Sequence, residues 1–167
     1  AKITGNYIQS GGIHLNGSGL AGKVTITDNY LNSLNIDNKD YSVIATGNHI
    51  SGSCDIGNSM FKNNWIILKD NITLGGKAFE SNFFNAHKDS KKNPEIIIVD
   101  IDGEMTFDDC EIRNVDLTNN ARTGKLSFND CKVVNSNFIS SSLSTEDFEF
   151  VVSNSKLVDT LTTLRSS

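Results

Sequence analysis

The sequence predicts an all-β solenoid, a coil of parallel strands about eight rungs long, and three observations predict it. The first is a six-residue pattern that reads apolar, any residue, small or acidic, Asn-like, any residue, apolar. Its copies are Ile3–Ile8, Ile26–Leu31, Ala45–Ile50, Phe61–Ile66, Phe79–Phe84, Phe107–Ile112, Phe128–Val133 and Val152–Leu157. The second is their spacing. The starts fall 23, 19, 16, 18, 28, 21 and 24 residues apart, a period that marks one supersecondary unit stacked on the next. The third is residue type. Helical repeats need helix formers at a 3.6-residue period and about 33 or more residues per unit, whereas this chain carries short alternating runs of β-branched and aromatic residues.

The elements follow from those runs. Ile13–Leu15, Val24–Thr27, Leu34–Ile36, Ile66–Leu68 and Val115–Leu117 alternate as strands do. Asn, Asp, Gly and Ser gather between them, where turns need left-handed backbone. Gly22, Gly103 and Gly124 each stand four residues before a motif, and Gly76 three before, where a bend of positive φ suits glycine. A period near 21 residues then divides into three strands and three bends. Parallel crossovers are overwhelmingly right-handed, which sets the expected hand of the parallel β-helix. The first and sixth motif positions should point inward. The fourth reads Asn6, Asn29, Asn48, Asn64, Asn82, Cys110, Cys131, Ser155; it is expected to make the sharp bend and to hydrogen-bond from rung to rung. Cys110 and Cys131 then read as small buried thiols in the same column, free rather than bridged. Between Phe84 and Phe107 an excursion at 85–95 holds Pro94, the single proline; such insertions leave one side of a solenoid, often the binding side.

Composition bounds the rest. The 167 residues are 37% hydrophobic and 21% charged, one domain's worth of chain with a sizeable core. The longest apolar run is Ile96–Val99, far short of the ~18 residues of a membrane span. The net charge of −5 argues against nucleic acid, which needs a basic groove. The basic cluster Lys88–Lys92 includes Asp89 and reads as a solvated loop. Cys54, Cys110 and Cys131 show no CxxC spacing and no paired His, so neither a metal site nor a cofactor is expected. The chain opens at Ala1, two residues before the first repeat, without a cap. The expectation is therefore a single β-helix segment, 1–167, of a longer chain.

Rungs of Ile-x-Gly/Asp-Asn-x-Ile with an Asn ladder resemble the right-handed parallel β-helix superfamily, which includes pectate lyases, polygalacturonases and bacteriophage tailspikes. The Asn/Ser/Lys/Ile-rich usage and open end look most like a shaft or tip segment of a phage tail fibre or tailspike. That resemblance implies a homotrimer located in the virion tail and a host cell-surface polysaccharide as partner. A polysaccharide lyase or glycoside hydrolase of the same fold, and a secreted or surface-bound bacterial adhesin, are the alternatives it leaves.

The fifth motif position carries the candidate site. It reads Tyr7, Tyr30, His49, Trp65, Phe83, then Glu111, Lys132, Lys156. Strand alternation puts it outside, giving five successive rings over roughly 19 Å. Three roles are open: stacking on sugar rings, burial between chains of a trimer, or cover by loops of the same chain. A ligand contact would centre on Trp65, with Tyr30 and His49 beside it and the inserted loop from Asn85 to Glu95 at its border, where Lys88, Lys91 and Lys92 are donors for an anionic group. Acid–base chemistry has weaker candidates in Asp109 and Glu111, within the acidic stretch Asp100–Glu111. A glycosidase needs two carboxyls about 5–9.5 Å apart, one with a raised pKa, and Asp at a β-helix turn is the ordinary expectation. His14, His49 and His87 are expected on different rungs and faces. The segment by itself is expected to cleave nothing.

Overall fold

The computed structural model describes residues 1–16, 22–36, 41–51, 54–55, 60–140 and 148–164, and within these every side chain but those of 41, 42, 54, 55 and 164. Cys54 thus has its backbone in a strand while its side chain lies outside the described residues.

The repeat does fold as a parallel β-helix. Eight strands form the first sheet, one for each copy of the motif, from Lys2–Thr4 to Phe148–Ser153. Seven form the second, from Tyr30–Leu31 to Lys156–Val158, and Tyr7 adds a parallel bridge to Tyr30. The third side divides into a three-stranded sheet that starts at Gly12–Leu15 and a five-stranded sheet from Ile72–Thr73 to Leu161–Leu164. No helix occurs among the described residues.

The motif is the register. Ile3, Ile26, Ala45, Phe61, Phe79, Phe107, Phe128 and Val152 are successive Cα partners. A one-residue slip would turn every apolar side chain outward, so burial holds the alignment. Inside, Phe79, Phe107 and Phe128 stack with centroids 4.6 and 4.7 Å apart and planes within 13°. Beside them Leu31, Ile50, Ile66, Phe84, Ile112 and Val133 are wholly buried.

The bend is made one residue earlier than the sequence suggests. Position three reads Gly5, Asp28, Gly47, Asn63, Ser81, Asp109, Asp130, Asn154, and all eight have φ between 48° and 68°. Gly and Asn/Asp tolerate that left-handed region best, which explains why this position is small or acidic. A matching bend on the last three rungs uses Asn114, Asn135 and Asp159 (φ 53°, 50° and 49°). Of the strand-opening glycines, Gly76, Gly103 and Gly124 have positive φ.

With position three turning the chain, position four faces inward as a ladder. Each Asn carboxamide oxygen accepts from the main-chain N–H and the Nδ2 of the Asn one rung before: Asn29 from Asn6, Asn48 from Asn29, Asn64 from Asn48, at 2.9–3.0 Å. Each Nδ2 also donates to the position-one carbonyl of the preceding rung, as Asn64 to Ala45 (3.0 Å) and Asn82 to Phe61 (2.9 Å). The later residues keep that bond with other donors. Cys110 Sγ reaches Phe79 O at 3.2 Å, Cys131 Sγ reaches Phe107 O at 3.4 Å, and Ser155 Oγ reaches Phe128 O at 3.4 Å. Thiol and hydroxyl can therefore replace carboxamide because one short donor suffices for the buried carbonyl. Cys110 and Cys131 are free and buried. The neighbouring Cys131 thiol and burial push Cys110 upward in pKa, which favours the protonated thiol.

Candidate functional site on the outer face of the second sheet

Position five lies on the outside of the second sheet in one column. Tyr7, Tyr30, His49, Trp65, Phe83, Glu111, Lys132 and Lys156 are successive register partners. Tyr7, Tyr30 and Trp65 are 70%, 41% and 58% exposed, large values for such rings, while His49 and Phe83 are half-buried. The rings do not form one even stripe. Tyr7 stacks on Tyr30 at 5.1 Å, and Tyr30 lies flat on His49 at 4.4 Å and 5°. Trp65 and Phe83 make a second pair, 5.3 Å apart and tilted by 49°.

The excursion is shorter than the sequence outlines. Asn85 and Ala86 still belong to the strand Phe83–Ala86, and Glu95 starts the strand Glu95–Ile98, leaving 87–94 as the loop. Its base is fixed at both ends. The His87 N–H donates to Leu68 O (2.6 Å), and Asp116 N–H donates to the carbonyl of buried Pro94 (3.0 Å). Asn93 Nδ2 donates to Asp116 Oδ1 (3.1 Å) and Asn135 O (2.8 Å), which pulls the loop back across the coil.

Between loop and sheet lies an open groove of about 790 Å³. Tyr30, His49, Ser51, Ile67 and Asn85 belong to the sheet side, and the loop contributes Lys88, Ser90, Lys91 and Lys92. Trp65, Phe83 and Tyr7 do not line it, so the expected centre at Trp65 and the groove are separate features of one face. His49 and His87 line the same groove, against the expectation that the histidines fall on unrelated faces. Ile67 and Asn85 are register partners, two residues beyond position five on the same side of the pleat. A motif six residues long stops just short of this second outward column, and so it was not read from the sequence. Burial pushes the His49 imidazole down in pKa, against a smaller opposing pull from its backbone hydrogen bond. It is neutral at pH 7, and its Nδ1, like the Ser90 hydroxyl, is buried without a partner.

The acidic candidates are occupied elsewhere. Asp109 sits exposed at the left-handed bend and accepts from Ser81 Oγ at 2.9 Å. Glu111 Oε1 is held by Arg113 (2.5 Å) and Lys132 (3.2 Å). Burial pushes its carboxyl up, but Lys132 and Arg113 outweigh that and hold it below the ordinary glutamate value. A general acid needs the opposite shift. Among the described residues no group of three or more His, Cys, Asp and Glu is placed to hold a metal ion.

The chain matches no protein-family model, no curated protein and no solved structure. Function is therefore argued from the geometry of this face.

Glu111 supplies a direct check on its assignment. Its side-chain carboxyl should titrate below 4.5, the ordinary value, in a carbon-detected NMR titration, and Lys132→Gln should raise the midpoint. A depressed carboxylate stabilises the fold above its unfolded pKa, and that contribution is lost as pH falls through the folded value. With a third of the side chain exposed, the contribution is under about 1 kcal/mol. A midpoint above 4.5 would restore Glu111 as an acid candidate.

Proposed function

We propose that this β-helix is a structural and receptor-binding segment of a phage tail fibre or tailspike, and that it contacts host-surface glycan without cleaving it. The observation that carries the reading is the outward aromatic column beside an open groove on the second sheet. Exposed rings that are already fixed by their neighbours offer preorganised apolar surface along their outward edges, so a sugar ring gains contact at small entropic cost. The rung resemblance to tailspikes supplies the setting, a homotrimer about the long axis in the virion tail. The engagement of Glu111 by two cations favours binding over hydrolysis.

Binding to a panel of bacterial surface polysaccharides tests it, with light scattering as the second readout. Tyr30→Ala and Trp65→Ala should each weaken binding by about tenfold, equivalent to ~1.4 kcal/mol, and leave the thermal midpoint unchanged. Unchanged binding in both variants would remove the glycan reading. Loss of the trimer in Trp65→Ala would move that ring from the ligand to the interface between chains. Turnover of a polysaccharide that vanishes in Glu111→Gln would replace binding by catalysis.

A further inference from the structure

We infer that the groove under loop 87–94 is a subsite for the anionic group of an acidic glycan, held by Lys88, Lys91 and Lys92 while an adjoining sugar ring packs against the outward edges of Tyr30 and His49. This rests on the glycan reading above and names the class of ligand.

The charge pattern points there. The chain as a whole is acidic, at −5, and four of its cations are answered within the protein, while Lys2, Lys23, Lys69, Lys77 and Lys156 make no ion pair among the described residues. Lys62 pairs with Glu80, Lys125 with Glu104, and Arg113 and Lys132 with Glu111. On the loop, the carboxylate of Asp89 lies 3.5 Å from His87 Nδ1. Among the described residues no ion pair takes up Lys88, Lys91 or Lys92, and all three are exposed and line one groove. Three lysines against the one carboxylate of Asp89 leave this stretch net positive, so a single anion among the lysines gains attraction.

Two further features belong to the same place. His49 Nδ1 and Ser90 Oγ are buried with no hydrogen-bond partner, and both residues line the groove. Buried polar atoms are normally satisfied, so two orphans on residues of one groove mark a polar spot whose hydrogen bonding is incomplete. Asn85 and Asn93 add carboxamides to the same lining, which suits the hydroxyls of a sugar. Beside them the Tyr30 ring lies flat against His49, 4.4 Å away, a stacked pair at the polar site.

The scale of the patch selects among polyanions. One strand of nucleic acid carries a charge about every 3.4 Å, and beyond the three lysines it would meet an acidic protein. A glycan with a carboxylate or sulfate on some of its sugars places isolated charges between neutral rings, which matches a local cation cluster beside an aromatic face. Lysine acts as a point charge and accepts either anion.

The test uses the whole 167-residue chain with four probes: polygalacturonate, dextran sulfate, neutral dextran and single-stranded DNA. Affinity electrophoresis or calorimetry should detect binding to polygalacturonate, dextran sulfate or both, and so assign carboxylate or sulfate. That binding should weaken as NaCl rises from about 50 to 500 mM. Replacing all three lysines (Lys88→Gln, Lys91→Gln, Lys92→Gln) should lower it at least tenfold with an unchanged thermal midpoint, and Tyr30→Ala should lower it independently. Binding of DNA as tight as that of the acidic glycans would reduce the loop to a cation exchanger and overturn the inference. So would retention of acidic-glycan affinity in the triple variant, or no binding to either acidic probe. If bacterial polysaccharides still bind in a Tyr30-dependent manner in those cases, the glycan reading stands without its acidic subsite.

Discussion

Phe107→Ala should destabilise the coil by about 4 kcal/mol, read as a fall in the urea midpoint. The ring is wholly buried and sandwiched between Phe79 at 4.6 Å and Phe128 at 4.7 Å, with Phe84 at 5.9 Å. Truncating a core Phe costs ~3–5 kcal/mol, from lost transfer free energy plus the cavity left behind, and two stacked aromatic contacts disappear with it. Neighbouring rungs cannot collapse into the gap without breaking the strand register with Phe79 and Phe128. In a solenoid each rung touches only its neighbours, so damage stays local. Hydrogen exchange should therefore quicken in the rungs around Phe79–Phe128, while amides near Tyr30 and His49 keep their protection. A midpoint shift no larger than that of Trp65→Ala, which removes an exposed ring, would show that the aromatic stack does not hold the coil.

Asn64→Ala should cost about 3 kcal/mol although it deletes only a small polar group. Asn64 is completely buried. Its Oδ1 accepts from Asn48 N (2.9 Å) and Asn48 Nδ2 (3.0 Å), and its Nδ2 donates to Ala45 O (3.0 Å) and Asn82 Oδ1 (3.1 Å). Alanine takes the partner from the Asn48 N–H and from the Ala45 carbonyl where water cannot reach, while Asn48 Nδ2 keeps Ile26 O and Thr46 O, and each such orphan costs ~1–3 kcal/mol before the backbone relaxes. Asn6→Ala provides the contrast, since Asn6 is exposed at the first rung, and it should cost under about 1 kcal/mol. Asn64→Cys should fall between the two. At Cys110 and Cys131 a thiol already serves the equivalent carbonyl, but sulfur is a poor acceptor for the Asn48 amide. Equal midpoints for Asn64→Ala and Asn6→Ala would mean that the ladder adds nothing beyond the strands themselves.

The repeat determined the coil because its constraint is local and recurs eight times. An apolar residue at positions one and six, a left-handed-tolerant residue at three and a short hydrogen-bonding side chain at four have one arrangement that buries the first set and satisfies the last. That is parallel stacking in register, and Ile26, Phe61 and Phe128 are buried through it as the spacing predicts. The outward column from Tyr7 to Phe83 was legible for the same reason, since strand alternation fixes the side of each residue. Which residue bends the backbone was not legible, because Gly, Asp and Asn at positions three and four all suit turns. Only the φ values assign the left-handed conformation to Asp28 and its equivalents and free Asn29 to face inward. The sequence suggests the inserted loop as a border of the aromatic column, but the lining of the groove needed the tertiary structure. Loop 87–94 has no periodic signal, and its path is set by contacts with residues far along the chain, Asn93 with Asp116 and Asn135, and His87 with Leu68. Those long-range bonds decide that three lysines share a groove with Tyr30 and His49. They also decide that Trp65 stands outside it, a distinction that no spacing within the repeat encodes.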